Sequence, residues 1–211
     1  MIGLVRILSV MAMYGAIIAG MHFFRSGWIA ILGYHVVICF ILTVRSRWGL
    51  TRKLVSGWNG RWGLGISMVC LSAGLLIYFL WPYMCIDGLD LKSALASVGL
   101  EGNLWIGFMI YYCLVNPLLE ELFWRGYFPA RAKYSWSADF LYSGYHVFVL
   151  VLFVKWGWVV LAFVVLACVG RFWRKMADRC GGLLVPVLTH LLADISVIAA
   201  ACLLARLGSG R

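Results

Sequence analysis

Charge is what this 211-residue chain has least of. Twelve percent of its residues are charged, with only eight Asp and Glu against eighteen Lys and Arg, while sixty-four percent are hydrophobic. A soluble globule of this size must cover its outside with polar groups, so that class is excluded and a polytopic membrane protein is implied. No internal repeat and no low-complexity tract interrupts the chain, which reads as a single membrane domain, 1–211. The seven cysteines (39, 70, 85, 113, 168, 180 and 202) form no CxxC pair. That spacing argues against a disulfide framework or a zinc knuckle and for small buried hydrophobes. The net charge of +10 comes without a stacking platform or a basic groove, so nucleic acid is not an expected partner. The basic residues lie between apolar runs, where they set topology and meet the lipid bilayer.

What is present is a series of apolar runs. A bilayer core takes roughly 20 helical residues, and on that ruler the sequence predicts seven segments: 5–24, 28–44, 63–83, 104–124, 139–154, 156–173 and 183–206. The short turn around Gly157 makes the fifth and sixth a helical hairpin. The first apolar run has no clean small-x-small cleavage site before Arg25 and is long for a signal peptide, so it is expected to stay as a helix. With a cytosolic N-terminus, one side holds Arg6, Arg45, Arg47, Arg52, Lys53, Arg61, Arg125, Arg131, Lys133, Arg171, Arg174, Lys175 and Arg179. The other holds Arg25, Lys92, Lys155, Arg206 and Arg211, and its longest loop carries Asp87, Asp90 and Glu101. The positive-inside rule therefore predicts an all-α bundle of about seven spans, N-terminus in and C-terminus out.

Ionisable side chains inside a span are functional-site candidates by default. Here they are Glu120 and Glu121 in "NPLLEELFWRGYF", His146 in "YSGYHVF", and His190 and Asp194 in "VPVLTHLLADIS". At 1.5 Å per residue both histidines fall about 10 Å below the cytosolic surface, and the glutamates about 6–8 Å from it. Three helices thus present carboxylate and imidazole at nearly one depth. Glu121 and Arg125 are four apart and can pair, which leaves Glu120, about 100° round the helix, to face the interior. His190 and Asp194 share a face in the same way. Pro117 and Pro186 stand just before Glu120 and His190, where a kink is tolerated if it lines a cavity. A buried carboxylate beside an imidazole can take a proton from water, and a second His with a polar neighbour can hydrogen-bond an oxyanion. That is equipment for amide hydrolysis within the membrane. A proton relay would use the same groups, so a proton-coupled transporter is the alternative from another class, although no inverted repeat is visible. His22 and His35 are expected to be structural. Trp105, Trp156, Trp158, Trp173 and Tyr83 near the span ends read as an interfacial belt.

Across about 115–195 the sequence resembles the CAAX-processing and bacteriocin-immunity family of intramembrane glutamic endopeptidases, with 1–104 supplying N-terminal spans and loops. "EELFWR" is similar to its EExxxR motif, Tyr142–His146 to FxxxH, and His190–Asp194 to HxxxN. The resemblance implies that Glu120 and His146 activate water, that His190 and Asp194 stabilise the oxyanion, and that Glu121 and Arg125 form a bracing pair. Tyr142 replaces Phe and keeps the packing. Asp194 replaces Asn; it serves an oxyanion only in its neutral form, or else it orients His190. Glu120, His146 and His190 are also a normal zinc set, which spacing alone leaves open; without an HExxH motif, the resemblance favours a metal-free reaction with no cofactor. The implied substrate is a membrane-anchored protein or peptide cut near its C-terminus, as by sorting proteases that remove C-terminal anchors in the bacterial inner membrane. A non-catalytic scaffold or immunity protein of the same fold is the remaining alternative.

Overall fold

A computed structural model describes residues 2–128 and 135–208. Among them every predicted apolar segment is helical, and the one β feature is an isolated bridge between Cys85 and Val154. The helices are α1 (Ile2–Ile18, ending in a π-helical turn, Ala19–Phe23), α2 (Gly27–Val44), α3 (Gly60–Met84), the short α4 (Leu91–Ala96), α5 (Gly102–Glu120), α6 (Ser135–Leu150), α7 (Trp156–Cys180) and α8 (Leu184–Gly208). A 3₁₀ helix, Trp48–Val55, joins α2 to α3, and α5 continues as a π-helix, Glu121–Tyr127. The protein is an all-α, multi-pass membrane bundle.

Among the described residues six helices are long and apolar enough to cross a bilayer. The sequence reading gave seven crossings; the fifth segment, α6, has 16 residues. It stops in a turn at 151–153 and the bridge at Val154, short of the roughly 20 residues a full crossing takes. Its neighbours show which end it reaches. Lys155 N donates to Met84 O (2.8 Å) and Ile86 N to Phe153 O (3.2 Å), so the ends of α3 and α6 and the start of α7 lie together. At the opposite end, Leu183 N donates to Lys53 O (2.8 Å) and Leu184 N to Ser56 O (3.0 Å), docking the 3₁₀ helix on the start of α8.

Helix boundaries follow local chemistry. Ser26 and Asn59 cap α2 and α3 by accepting from Ile29 N and Trp62 N, and Gly181 ends α7 in the left-handed conformation (φ 69°) that a side chain disfavours. Asp90 caps α4; hydrogen bonds from the Ser93 hydroxyl and amide hold its carboxyl below the usual carboxylate range. Pro186 does not kink a helix as expected from its position in an apolar run. It sits in the first turn of α8, where its missing N–H has no intrahelical partner to lose.

The core runs through α1, α2, the π-helix and α6, with Met13, Tyr34, Ile38, Leu42, Phe123 and Trp124 all but inaccessible. By contrast α3 packs chiefly on α8, where Gly74 N donates to Ser196 Oγ (3.1 Å), and turns Leu75, Leu76 and Phe79 outward. That apolar exterior is what a bilayer covers. The cysteines depart from expectation: all seven are free, but six are only half-buried and Cys168 is exposed. An outward position in a span is still an apolar environment, so a thiol is tolerated there as well as in the core.

Two residues of the thirteen-to-five charge count lie inside the fold. Arg125 and Arg174 are buried and paired with acids. Arg131, Lys133 and Arg211 lie outside the described residues.

Candidate active site

At Glu121 the helix widens into π geometry, which places Glu120 at the end of the α-helical part and Glu121 through Tyr127 on the wider turns. Such turns are uncommon and often occur at functional sites. Pro117 precedes the change within α5. Asn116, Glu120, Glu121 and Arg125 are all buried, both glutamates completely.

The two acids have different partners. Glu121 Oε1 accepts from Arg125 Nη1 (3.0 Å) and lies 2.9 Å from His190 Nδ1. Arg125 spreads its guanidinium over the Tyr142 ring at 4.0 Å and faces Trp173 at 5.3 Å, so aromatic faces meet the nitrogens that carry no hydrogen bond. Gly170 on α7 makes room for this stack, since a Cβ there would meet Tyr142 Cδ1 at 2.9 Å and Arg125 Nη2 at 3.1 Å. Glu120 is held by hydroxyls instead. Its Oε1 accepts from Tyr34 (2.8 Å) on α2 and from Tyr145 on α6. Among the described residues its Oε2 has no hydrogen-bond partner, and it lies 3.7 Å from His190 Nε2.

His190 is the centre of the cluster. Nδ1 faces Glu121, Nε2 lies 3.7 Å from both Glu120 Oε2 and Asp194 Oδ1, and its ring stacks on Trp173 at 4.4 Å. Trp173, expected in the interfacial belt, is therefore a buried wall of the site. Trp156 and Tyr83 are exposed at helix ends, and Trp105 and Trp158 half-buried.

His146 is not joined to Glu120 by a direct hydrogen bond. Its ring stacks on Tyr145 (4.0 Å), which bonds Glu120, and meets Tyr142 edge-on (5.3 Å); Tyr142 meets His190 the same way (6.4 Å). His146 Nδ1 faces the Tyr142 carbonyl oxygen at 3.2 Å. A carbonyl only accepts, so Nδ1 carries the proton and the neutral ring offers Nε2 as a base.

Asp194 has a partner that sequence reasoning missed. Asn116 Nδ2 donates to its Oδ2 (3.3 Å), Asn116 Oδ1 lies 3.2 Å from His35 Nε2, and His35 Nδ1 lies 2.8 Å from Tyr111 Oη. His35 is thus tied to the site through Asn116. His22 stays apart, on the Phe148 carbonyl (2.7 Å). A separate buried pair was also missed. Arg174 donates Nε and Nη2 to Asp139 Oδ1 (3.0 and 2.8 Å) and Nη1 to the carbonyls of Trp124 (2.9 Å) and Phe128 (3.2 Å). It caps carbonyls at the end of the π-helix that have few helical partners. Neither network has a local spacing signal; only burial of acids within or beside spans pointed toward them. Among the described residues no group of three or more His, Cys, Asp or Glu side chains is arranged to hold a metal ion.

Residues 102–196, a little under half of the chain, match the family model described as type II CAAX prenyl endopeptidase Rce1-like. The match contains Glu120, Glu121, Arg125, His146 and His190 and leaves α1 to α4 outside. No curated protein and no solved structure gives a significant match.

Proposed function

We propose, from the match of residues 102–196 to the Rce1-like type II CAAX prenyl endopeptidase model, that this chain is an intramembrane endopeptidase. It cuts a peptide bond near the C-terminus of a membrane-anchored protein or peptide, as a sorting-type protease of the bacterial inner membrane removing C-terminal anchors. The observation that carries the reading is Glu120: a fully buried carboxylate with one oxygen fixed by two hydroxyls and the other unpartnered and facing His190.

In this mechanism Glu120 Oε2, assisted by His146 Nε2, takes a proton from water as its oxygen attacks the substrate carbonyl carbon. Glu121 accepts from Nδ1–H of His190, so that the Nε2–H of the imidazolium form points toward the place where the oxyanion develops. Asp194, held by Asn116, lies beside it. The C–N bond then breaks, and the proton held by Glu120 or His146 passes to the leaving amine. Arg125, stacked on Tyr142, donates to the same Glu121 oxygen that His190 Nδ1 faces. The residues carry out this sequence without a metal or a cofactor.

The test is mass spectrometry of membrane-protein C-termini in cells carrying wild type, Glu120→Ala or His146→Ala. Loss of a processed C-terminus in both variants is expected, and an unchanged set of C-termini in both would overturn the reading. Asp194, where the family motif has Asn, favours one second reading, a non-catalytic scaffold of the same fold. It predicts that Glu120→Ala keeps the cellular phenotype while truncation abolishes it.

A further inference from the structure

Trp124 Nε1, Tyr34 Oη and Glu120 Oε1 form a line with two steps of 2.8 Å. An indole N–H can only donate, so the Tyr34 oxygen accepts from Trp124 and its single proton is committed to Glu120. Tyr145 donates to the same oxygen. Among the described residues the hydroxyl of Tyr34 is reached by no other donor, and its ring is clamped between Tyr145 (centroids 5.0 Å apart) and His35 (5.6 Å).

Satisfying a buried carboxylate is a bland role for two tyrosines, and it would place a donor on each oxygen. Here both donors converge on Oε1, and Oε2 is left bare in a fully buried group. An orphaned buried acceptor is costly, so this asymmetry needs a reason. Turning the carboxylate partway about its terminal side-chain bond would break both hydroxyl contacts at once. Its orientation is therefore fixed, with one oxygen on the hydroxyls and the other toward His190.

We propose that Tyr34, supplied by α2 from outside the family segment, is a positioning residue for Glu120, fixing Oε1 together with Tyr145 so that Oε2 alone meets the attacking water. The proposal rests on the reading of Glu120 as the base. It makes the N-terminal helices part of the active site, because the matched segment alone supplies only one of the two hydroxyls, that of Tyr145, that orient its carboxylate. Trp124 belongs to the same device one step back, aiming the Tyr34 hydroxyl without touching the acid.

Infrared difference spectroscopy on the full-length protein in lipid nanodiscs tests the bond directly. The Glu120 carboxyl band is assigned by its loss in Glu120→Gln. In Tyr34→Phe that band is expected to move, in Tyr34→Phe/Tyr145→Phe to move further, and in Trp124→Phe to move less, with the unfolding temperature of each variant measured alongside. With a membrane-anchored peptide found in the C-terminal survey as substrate, kcat of Tyr34→Phe is expected to fall about ten- to a hundredfold, the range for a hydrogen bond to a charged group. KM should stay within about twofold. An unmoved Glu120 band in a folded Tyr34→Phe overturns the inference whatever the substrate, and so does a moved band with unchanged kcat. If Tyr34→Phe does not fold, the Trp124→Phe band and kcat decide by the same criteria. Should the wild-type protein leave every C-terminus uncut, the cleavage reading fails, whereas the band shift alone still decides whether Tyr34 holds Glu120.

Discussion

Two buried charge clusters lean on the same π-helical segment, and they are built differently. Asp139 and Arg174 are one acid and one base; the guanidinium spends its bonds on one carboxylate oxygen and on the Trp124 and Phe128 carbonyls. Among the described residues Asp139 Oδ2, like an oxygen of each glutamate, has no hydrogen-bond partner. Around His190 the account does not balance. Glu120, Glu121 and Asp194 share Arg125 and one imidazole, and an oxygen on each glutamate has no hydrogen-bond partner. The first arrangement ties α6 and α7 to the π-helix. The second gathers three acids around one imidazole, as the proposed cleavage requires. Partial satisfaction is expensive in a low-dielectric interior, and the charge-matched pair next door stiffens the frame on which the cluster depends.

That contrast can be broken at either end. The largest effect is expected from Glu120→Gln, which removes the base but keeps the shape: cleavage of a membrane-anchored substrate should fall about 10³-fold, while the thermal unfolding midpoint in detergent stays the same or rises. Asp139→Ala should do the reverse. It leaves Arg174 buried without its acid, and a loss of about 3–5 kcal/mol is expected, read by denaturant unfolding; Asp139→Leu/Arg174→Met should recover much of it. A smaller effect sharpens the boundary between the clusters. Gly170→Ala forces Arg125 and Tyr142 apart and should cost about 1–3 kcal/mol, with cleavage reduced more than stability accounts for. The mildest change is Asp194→Asn. The new amide oxygen can still accept from Asn116, so cleavage should stay within about tenfold of wild type; total loss of turnover would show that Asp194 needs its carboxyl chemistry.

Much of this was legible because bilayer physics writes it into the chain. Apolar runs mark the helices, and Glu120, Glu121, His190 and Asp194 stand out as ionisable groups that hydrocarbon would reject unless they had company. Depth counted from the loops brought them to one level, and the i, i+4 pairing of Glu121 with Arg125 is present as read. What stayed hidden has no local pattern. Tyr34 lies 86 residues from Glu120, and a tyrosine in an aromatic-rich helix looks like packing until the fold aims its hydroxyl. Asp139 and Arg174 sit 35 residues apart, near helix ends where charges are ordinary. The π-helix is invisible to an argument built on 3.6 residues per turn. Trp173 falls where a belt residue should, and only the third dimension turns it toward His190.

The stack of Trp173 on His190, 4.4 Å apart and 23° from parallel, gives the protein a built-in optical reporter. Indole emission is quenched at contact range by a charged imidazole and responds to the polarity of whatever lies beside it. Subtracting the Trp173→Phe spectrum from that of the wild type isolates this one fluorophore among eleven. Its intensity follows the state of His190 in real time, label-free, in any lipid mixture in which the protein is reconstituted.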